Sequence, residues 1–227
     1  GAELLDRPRS LLDCPLLLRH TPGVAPAISA KKPIQVNATD LPSDLTDMSA
    51  SLLSAAIKQR QASCMEVMQA YLARIRRYNP VYNAIVSMLA EDTLLDEAKR
   101  ADLALADGAY WGWMHGMPHA IKDENNVKGM PTSEGSPILA GTIAEKDDLM
   151  VARIRRQGAI FIGKTNLPEF GMGSQTYNAV FGVTGSAYDP GLTAGGSSGG
   201  AACGLGTRML PVADGGDLMG SLRNPGA

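Results

Sequence analysis

The stretch PGLTAGGSSGGAACGLGTRMLPVADGGDLMGSLRNP, residues 190–225, decides how the chain is read. From Ala194 to Gly200, five of seven residues are glycine or alanine, and the other two are Ser197 and Ser198. A second small-residue turn runs from Gly215 to Ser221. Between them lie a small-residue helix expected over residues 198–207 and a short apolar strand expected over 210–213. Glycine allows close backbone approach, and a serine hydroxyl becomes a nucleophile when a base is beside it. Two such loops joined by one apolar segment point to a site where backbone closes on a reacting group.

Upstream, helical and extended patterns alternate. Residues 51–59 place Leu52, Leu53, Ala56 and Ile57 at helical spacing. Ser63 and Glu66 form a capping box for a helix expected to reach Arg77, with Cys64, Met68, Tyr71, Leu72 and Ile75 inward and Asn79-Pro80 as its stop. Residues 84–89 predict a strand, 91–106 a helix closed by Gly108, and 118–122 a strand ending in Lys122. Asp147 or Asp148 caps a helix reaching Gln157, residues 159–162 form a buried strand, and 167–172 a helical turn. This order predicts an α/β fold with a mixed, largely parallel sheet covered by helices. Residues 1–47 hold six prolines without periodicity and are expected to be an extended or disordered arm, the domain proper being 48–227.

Composition narrows the function. A hydrophobic fraction of 44%, a charged fraction of 19% and a net charge of −2 describe a folded chain without a bulk attraction for nucleic acid or anionic membranes. Apolar runs fall short of the roughly 18 residues that span a bilayer. Three dispersed cysteines, Cys14, Cys64 and Cys203, suggest neither a disulfide framework nor a metal cluster, and a cytoplasmic location is expected.

Three motifs mislead. Gly158 to Thr165 fits the phosphate-loop pattern, but its intervening Ala-Ile-Phe-Ile is strand sequence, not a loop able to curl around an anion. Gly196 to Gly200 fits G-x-S-x-G, yet His20, His115 and His119 all precede it, the wrong order for that hydrolase triad. His115 and His119 have metal spacing only on a helix, which Gly116 and Pro118 prevent, so they are expected to be loop histidines without a special role.

Without a suitable histidine, a lysine is the remaining strong base. A free lysine is only about 0.04% neutral at pH 7, and burial raises that fraction. Lys122, at a strand end on apolar sequence and near Gly116, meets the requirement; the plainer alternative is a surface lysine paired with Asp123 or Glu124.

Three segments together, GMPHAIKDENNVKGMPTSEGS (116–136), GAIFIGKTNLPEFGMGSQT (158–176) and AGGSSGGAACGLGTRMLPVADGGDLMGSLRNP (194–225), resemble the amidase signature family. The resemblance covers roughly residues 48–225, and its GGSSGG core followed by D-x-x-G-S-x-R is highly specific. It implies that Ser221 is the acylated nucleophile, Ser197 a bridging serine after a cis peptide bond, and Lys122 the general base. It further implies an oxyanion hole from the N–H groups of Leu218, Met219, Gly220 and Ser221. Ser198, Asp217 and Arg223 would support the site, and Met172, Gly173, Ser174 and Gln175 would line the acyl side.

The implied activity is hydrolysis of a small-molecule carboxylic amide, with no cofactor and no metal. The alternatives are an incomplete fragment that only binds, or a glutaminase-type amidotransferase subunit. The family pattern carries glycine where this chain has Met219, which would be strained if that position needed φ > 0. Family members continue well past the position of residue 227. An uncovered sheet edge, a possible homo-oligomer and weak activity of the chain alone are therefore expected.

Overall fold

The computed structural model describes residues 34–227, apart from residues 38 and 40. Helix α1 spans Ala50–Lys58, and helix α2 spans Cys64–Tyr82. In α2 the residues Cys64, Val67, Met68, Tyr71, Leu72 and Ile75 are buried, a spacing that places one apolar stripe on the core. The capping box is present: Glu66 N–H donates to Ser63 Oγ at 3.0 Å, and Ser63 N–H donates to Glu66 Oε2 at 2.8 Å. The Asp102 carboxylate also accepts from the free N–H groups of Cys64 and Met65, at 2.7 and 3.0 Å. An anion at that end suits the helix dipole.

Asn79-Pro80 does not stop this helix. Pro80 lies in the last turn, where its missing N–H costs one bond, and Asn83 ends the helix in the left-handed region at φ 49°. Asn79 instead steers the exit, its Oδ1 accepting from Ala84 and Ile85 N–H at 3.0 and 2.9 Å.

Strand β1, Ile85–Val86, is shorter than expected because Ser87 turns to φ 47°. Helix α3, Glu91–Ala106, matches the expected range and packs on α2 through Leu94, Ala98, Ala101 and Leu105. Strand β2, Pro118–Lys122, also matches, and all five of its residues are buried. Helix α4, Leu149–Arg156, starts after Asp148, whose carboxylate accepts from Asn126 N–H rather than from its own helix.

Strand β3, Ile160–Thr165, runs straight through Gly163-Lys164-Thr165 and is buried throughout. The phosphate-loop lookalike is thus strand, as its apolar residues required. The sheet is mixed, in order β1-β3-β2: β1 is antiparallel to β3, and β2 parallel to it with Lys122 opposite Thr165. The 167–172 turn is a 3-10 turn at Glu169–Gly171.

A small antiparallel pair follows, β4 Tyr177–Asn178 with β5 Gly182–Val183. Helices α5, Gly199–Gly206, and α6, Arg223–Gly226, complete the described elements. The strand expected over 210–213 is absent. Leu210 is buried, but Pro211 has no N–H to give and no ladder partner faces the segment among the described residues.

Residues 1–33 of the expected arm lie outside the described residues, and Cys14 and His20 with them. Packing begins before Met48. Val36 is buried, and Asp44 caps the 3-10 turn Leu45–Asp47 and pairs with Arg74 of α2 at 3.2 Å.

Candidate active site

Strand β2 delivers Lys122 to the sheet's end with only 1% of its side chain exposed. Its Nζ donates to Ser197 Oγ at 2.7 Å and lies 3.1 Å from Glu124 Oε2. The plainer reading of a surface lysine is thereby corrected on burial, although Glu124 is indeed its carboxylate partner. The Gly196–Ser197 peptide is cis, as the resemblance implied.

A second lysine, Lys164, is equally buried but points elsewhere: to Asn125 O at 2.7 Å, Thr132 Oγ1 at 3.1 Å and Asp123 Oδ1 at 3.2 Å. Burial holds the Lys164 pKa below its ordinary value, against the pull of Asp123. Asp123 is thus occupied with Lys164 and with the Ser133 hydroxyl at 2.6 Å, and leaves Lys122 to Glu124.

The two glycine loops are stitched to each other. Ser198 N–H donates to Ser221 O at 3.1 Å, and Ser198 Oγ donates to Gly216 O at 3.4 Å. Asn224 Nδ2 donates to Ser174 O and Gly196 O at 2.8 and 3.1 Å. The glycines are required by contact. A Cβ on Gly200 would sit 2.3 Å from Asn166 N, and one on Gly199 would sit 2.0 Å from Thr176 Oγ1.

Asp217 holds the second loop closed. It accepts from the N–H groups of Gly220 at 2.7 Å, Leu222 at 3.1 Å and Arg223 at 3.2 Å, and from the Arg223 guanidinium at 2.8 Å. The Arg223 guanidinium, followed by the Gly220 N–H, holds the Asp217 carboxyl well below its ordinary range.

The expected four-donor oxyanion hole needs correction, because the Gly220 N–H is spent on Asp217. Among the described residues, nothing accepts from the N–H groups of Leu218, Met219 or Ser221. Met219 does not take a positive φ; Gly220 does, at 113°, so methionine is accommodated one residue earlier.

A cleft of ≈620 Å³ is lined by Gly171, Met172, Gly173, Ser174 and Gly196 on one side and by Leu218 to Ser221 on the other. It brings Ser221 together with Met172, Gly173 and Ser174. Gln175 lies off this wall, its Oε1 accepting from Thr193 Oγ1 at 3.0 Å, because its backbone pairs with Gly195 and turns the side chain away. Among the described residues, no hydrogen bond joins Ser221 Oγ to Ser197 Oγ.

A sequence profile described as Amidase matches residues 66–227. The chain belongs to the amidase signature family. Among curated relatives, it is 42% identical over 185 residues to the A subunit of the glutamyl-tRNA(Gln) amidotransferase from Acidothermus cellulolyticus, covering 82% of this chain and 36% of that one. Among solved structures, it resembles the peptide amidase of Stenotrophomonas maltophilia with TM-score 0.72 and 31% identity over 79% of this chain and 38% of that chain. It also resembles a fatty acid amide hydrolase with TM-score 0.76 and 25% identity over 85% and 33%. The chain therefore spans little more than a third of the length of the curated relatives it matches.

Sequence reasoning missed the second layer of this family member's site. His119 is not a loop residue, and His115, in the turn at 113–116, is buried. His119 lies in β2, 2% exposed, and its Nε2 donates to Asp214 Oδ1 at 3.1 Å. Asp214 also accepts from Lys122 N–H at 3.2 Å, fastening the second loop to the strand that carries the lysine. His115 is buried against the Tyr110 and Trp111 rings, accepting from Trp111 N–H and donating to Ala101 O. The signal for Asp214 was its place among glycines just before the Ser221 turn. His119 gave none. Among the described residues there is no group of three metal-ligating side chains, and no helix is long and apolar enough to cross a membrane.

Proposed function

We propose that the chain carries the working core of a serine amide hydrolase. Ser221 Oγ attacks the amide carbon, Ser197 takes its proton, and Lys122 takes the proton of Ser197. The oxyanion is met by the N–H groups of Leu218, Met219 and Ser221, each such donor being worth about 10²–10³ in rate. The relay then returns a proton to the leaving nitrogen, and water releases the acyl group from Ser221. Ser198, Asp217 and Arg223 hold the two loops, and Met172, Gly173 and Ser174 face the acyl group.

The single observation that carries the reading is the 2.7 Å bond from buried Lys122 Nζ to Ser197 Oγ, the hydroxyl on the cis peptide beside the Ser221 cleft. A small-molecule amide substrate and a cytoplasmic location belong to the same proposal. The domain is proposed with it: residues 48–227 as the N-terminal part of an amidase signature domain, preceded by an arm whose Val36 and Asp44 pack on it.

Intact-mass labelling with a fluorophosphonate tests the relay. One adduct is expected, absent in Ser221→Ala and slowed by about 10²–10⁴ in Lys122→Ala and Ser197→Ala. An adduct that survives Ser221→Ala sinks the nucleophile, and a folded chain that takes no adduct sinks the working core.

The identity to glutamyl-tRNA(Gln) amidotransferases favours one second reading, in which the amide is that of glutamine and a partner chain uses the ammonia. Ammonia release from glutamine that rises on adding such a partner would support it; hydrolysis of aryl amides alone would not.

A further inference from the structure

We propose that Glu124 is the proton acceptor that frees Lys122 to act as a base. This rests on the relay proposed above and extends it by one residue. Lys122 Nζ stands between two oxygens, Ser197 Oγ at 2.7 Å and Glu124 Oε2 at 3.1 Å. A protonated lysine in that position has no lone pair for the Ser197 proton. The base must first lose a proton, and the carboxylate that can take it is already in contact.

The glycines around the carboxylate make room for it. A Cβ on Gly216 would lie 2.8 Å from Glu124 Oε1, and a Cβ on Gly171 would lie 3.2 Å from Oε2 and 3.8 Å from Ser197 Oγ. A side chain at either place would crowd the carboxylate where it stands against the lysine. The side chain is 30% exposed against 1% for Lys122, so the carboxylate is the member of the pair in exchange with solvent.

The other charged groups nearby are engaged. Asp123 pairs with Lys164, Asp214 with His119 and with the Lys122 backbone N–H, and Asp217 with Arg223.

The step balances within the site. One Lys122 N–H proton moves to Glu124 Oε2, giving a neutral amine and a neutral carboxyl. As Ser221 Oγ bonds to the amide carbon, its proton passes to Ser197 Oγ, and the Ser197 hydroxyl proton passes to Lys122 Nζ. When the C–N bond breaks, that proton returns through Ser197 to the leaving nitrogen. Glu124 then returns its own proton to Lys122.

The test is the pH dependence of fluorophosphonate labelling at Ser221 in the full 227-residue chain, compared with Glu124→Gln and Glu124→Asp. Glutamine keeps the size and an acceptor oxygen but cannot take the proton. Glu124→Gln is expected to label at least about tenfold more slowly at pH 7 and to recover as the pH rises and bulk base replaces the carboxylate. Glu124→Asp is expected to restore part of the neutral-pH rate. Labelling of Glu124→Gln at the wild-type rate, or a loss that is the same at every pH, overturns the proposal while leaving the relay standing. A wild-type chain that never labels overturns the relay and this extension with it.

Discussion

Lys122 and Lys164 are one residue out of register on neighbouring strands, Ile121 facing Lys164 and Lys122 facing Thr165, and both are buried. Only one reaches a serine. The other is locked to Asp123, and the difference yields opposite expectations for the same substitution. Lys122→Met is expected to slow Ser221 labelling by about 10²–10⁴ with little loss of stability, because Glu124 is left beside solvent. Lys164→Met leaves Asp123 buried without its cation, and removal of one partner from a buried pair costs about 3–5 kcal/mol. Urea unfolding of the two variants checks this; equal losses would mean the lysines are not divided in this way.

Asp217 offers a pH test. Its folded pKa is depressed below the ordinary 3.8, with Arg223 as the leading cause. Its stabilisation of the turn is therefore whole above pH 3.8 and is lost as the pH falls through the folded value. The Gly220 amide resonance should titrate with a midpoint below 3.8. A midpoint at or above that value would mean the carboxylate is not held by Arg223. Asp217→Asn should open the turn to thermolysin already at neutral pH.

At the scale of elements, the site is a junction of β2, the start of α5 and the turn before α6. Gly200 is where α5 meets the strand layer, since its absent Cβ would strike Asn166 N at 2.3 Å and Ala84 O at 2.6 Å. Alanine gains about 1 kcal/mol over glycine inside a helix. Here that gain is outweighed by backbone that must move apart, at about 1–3 kcal/mol or more. Gly200→Ala is thus expected to lower the melting temperature, and a rise would show that the helix can shift freely.

The Asp214 clasp joins the same elements. Asp214→Ala leaves His119 Nε2 and Lys122 N–H without their acceptor, at about 1–3 kcal/mol for each buried donor. Chemical denaturation should register that loss, together with slower labelling of Ser221. Loss of stability with labelling unchanged would mean the clasp does not position the lysine.

Over the whole molecule, apolar side chains crowd the mouth of the cleft. Leu218 is 93% exposed, Met219 91% and Met172 83%. Side chains left in water like this favour association. The sedimentation coefficient of the purified chain is expected to rise with concentration, and Leu218→Asp combined with Met219→Asp to suppress the rise. A coefficient independent of concentration would remove the expected homo-oligomer.

The sequence alone determined the helices α2 and α3 and the strand β2 and marked Lys122, Ser197 and Ser221 as candidates, because apolar period, capping residues and a specific glycine-serine pattern are local properties of a chain. Local signals also misjudged the end of α2 and the segment at 210–213. A proline's effect depends on how many bonds remain downstream of it, and a strand exists only when another strand faces it. Only the tertiary structure decided which lysine meets Ser197, that Gln175 turns away, and that His119 and Asp214 form a buried clasp. Those outcomes turn on distances of about 3 Å between residues tens of positions apart, fixed by how strands and loops pack and written in no single segment.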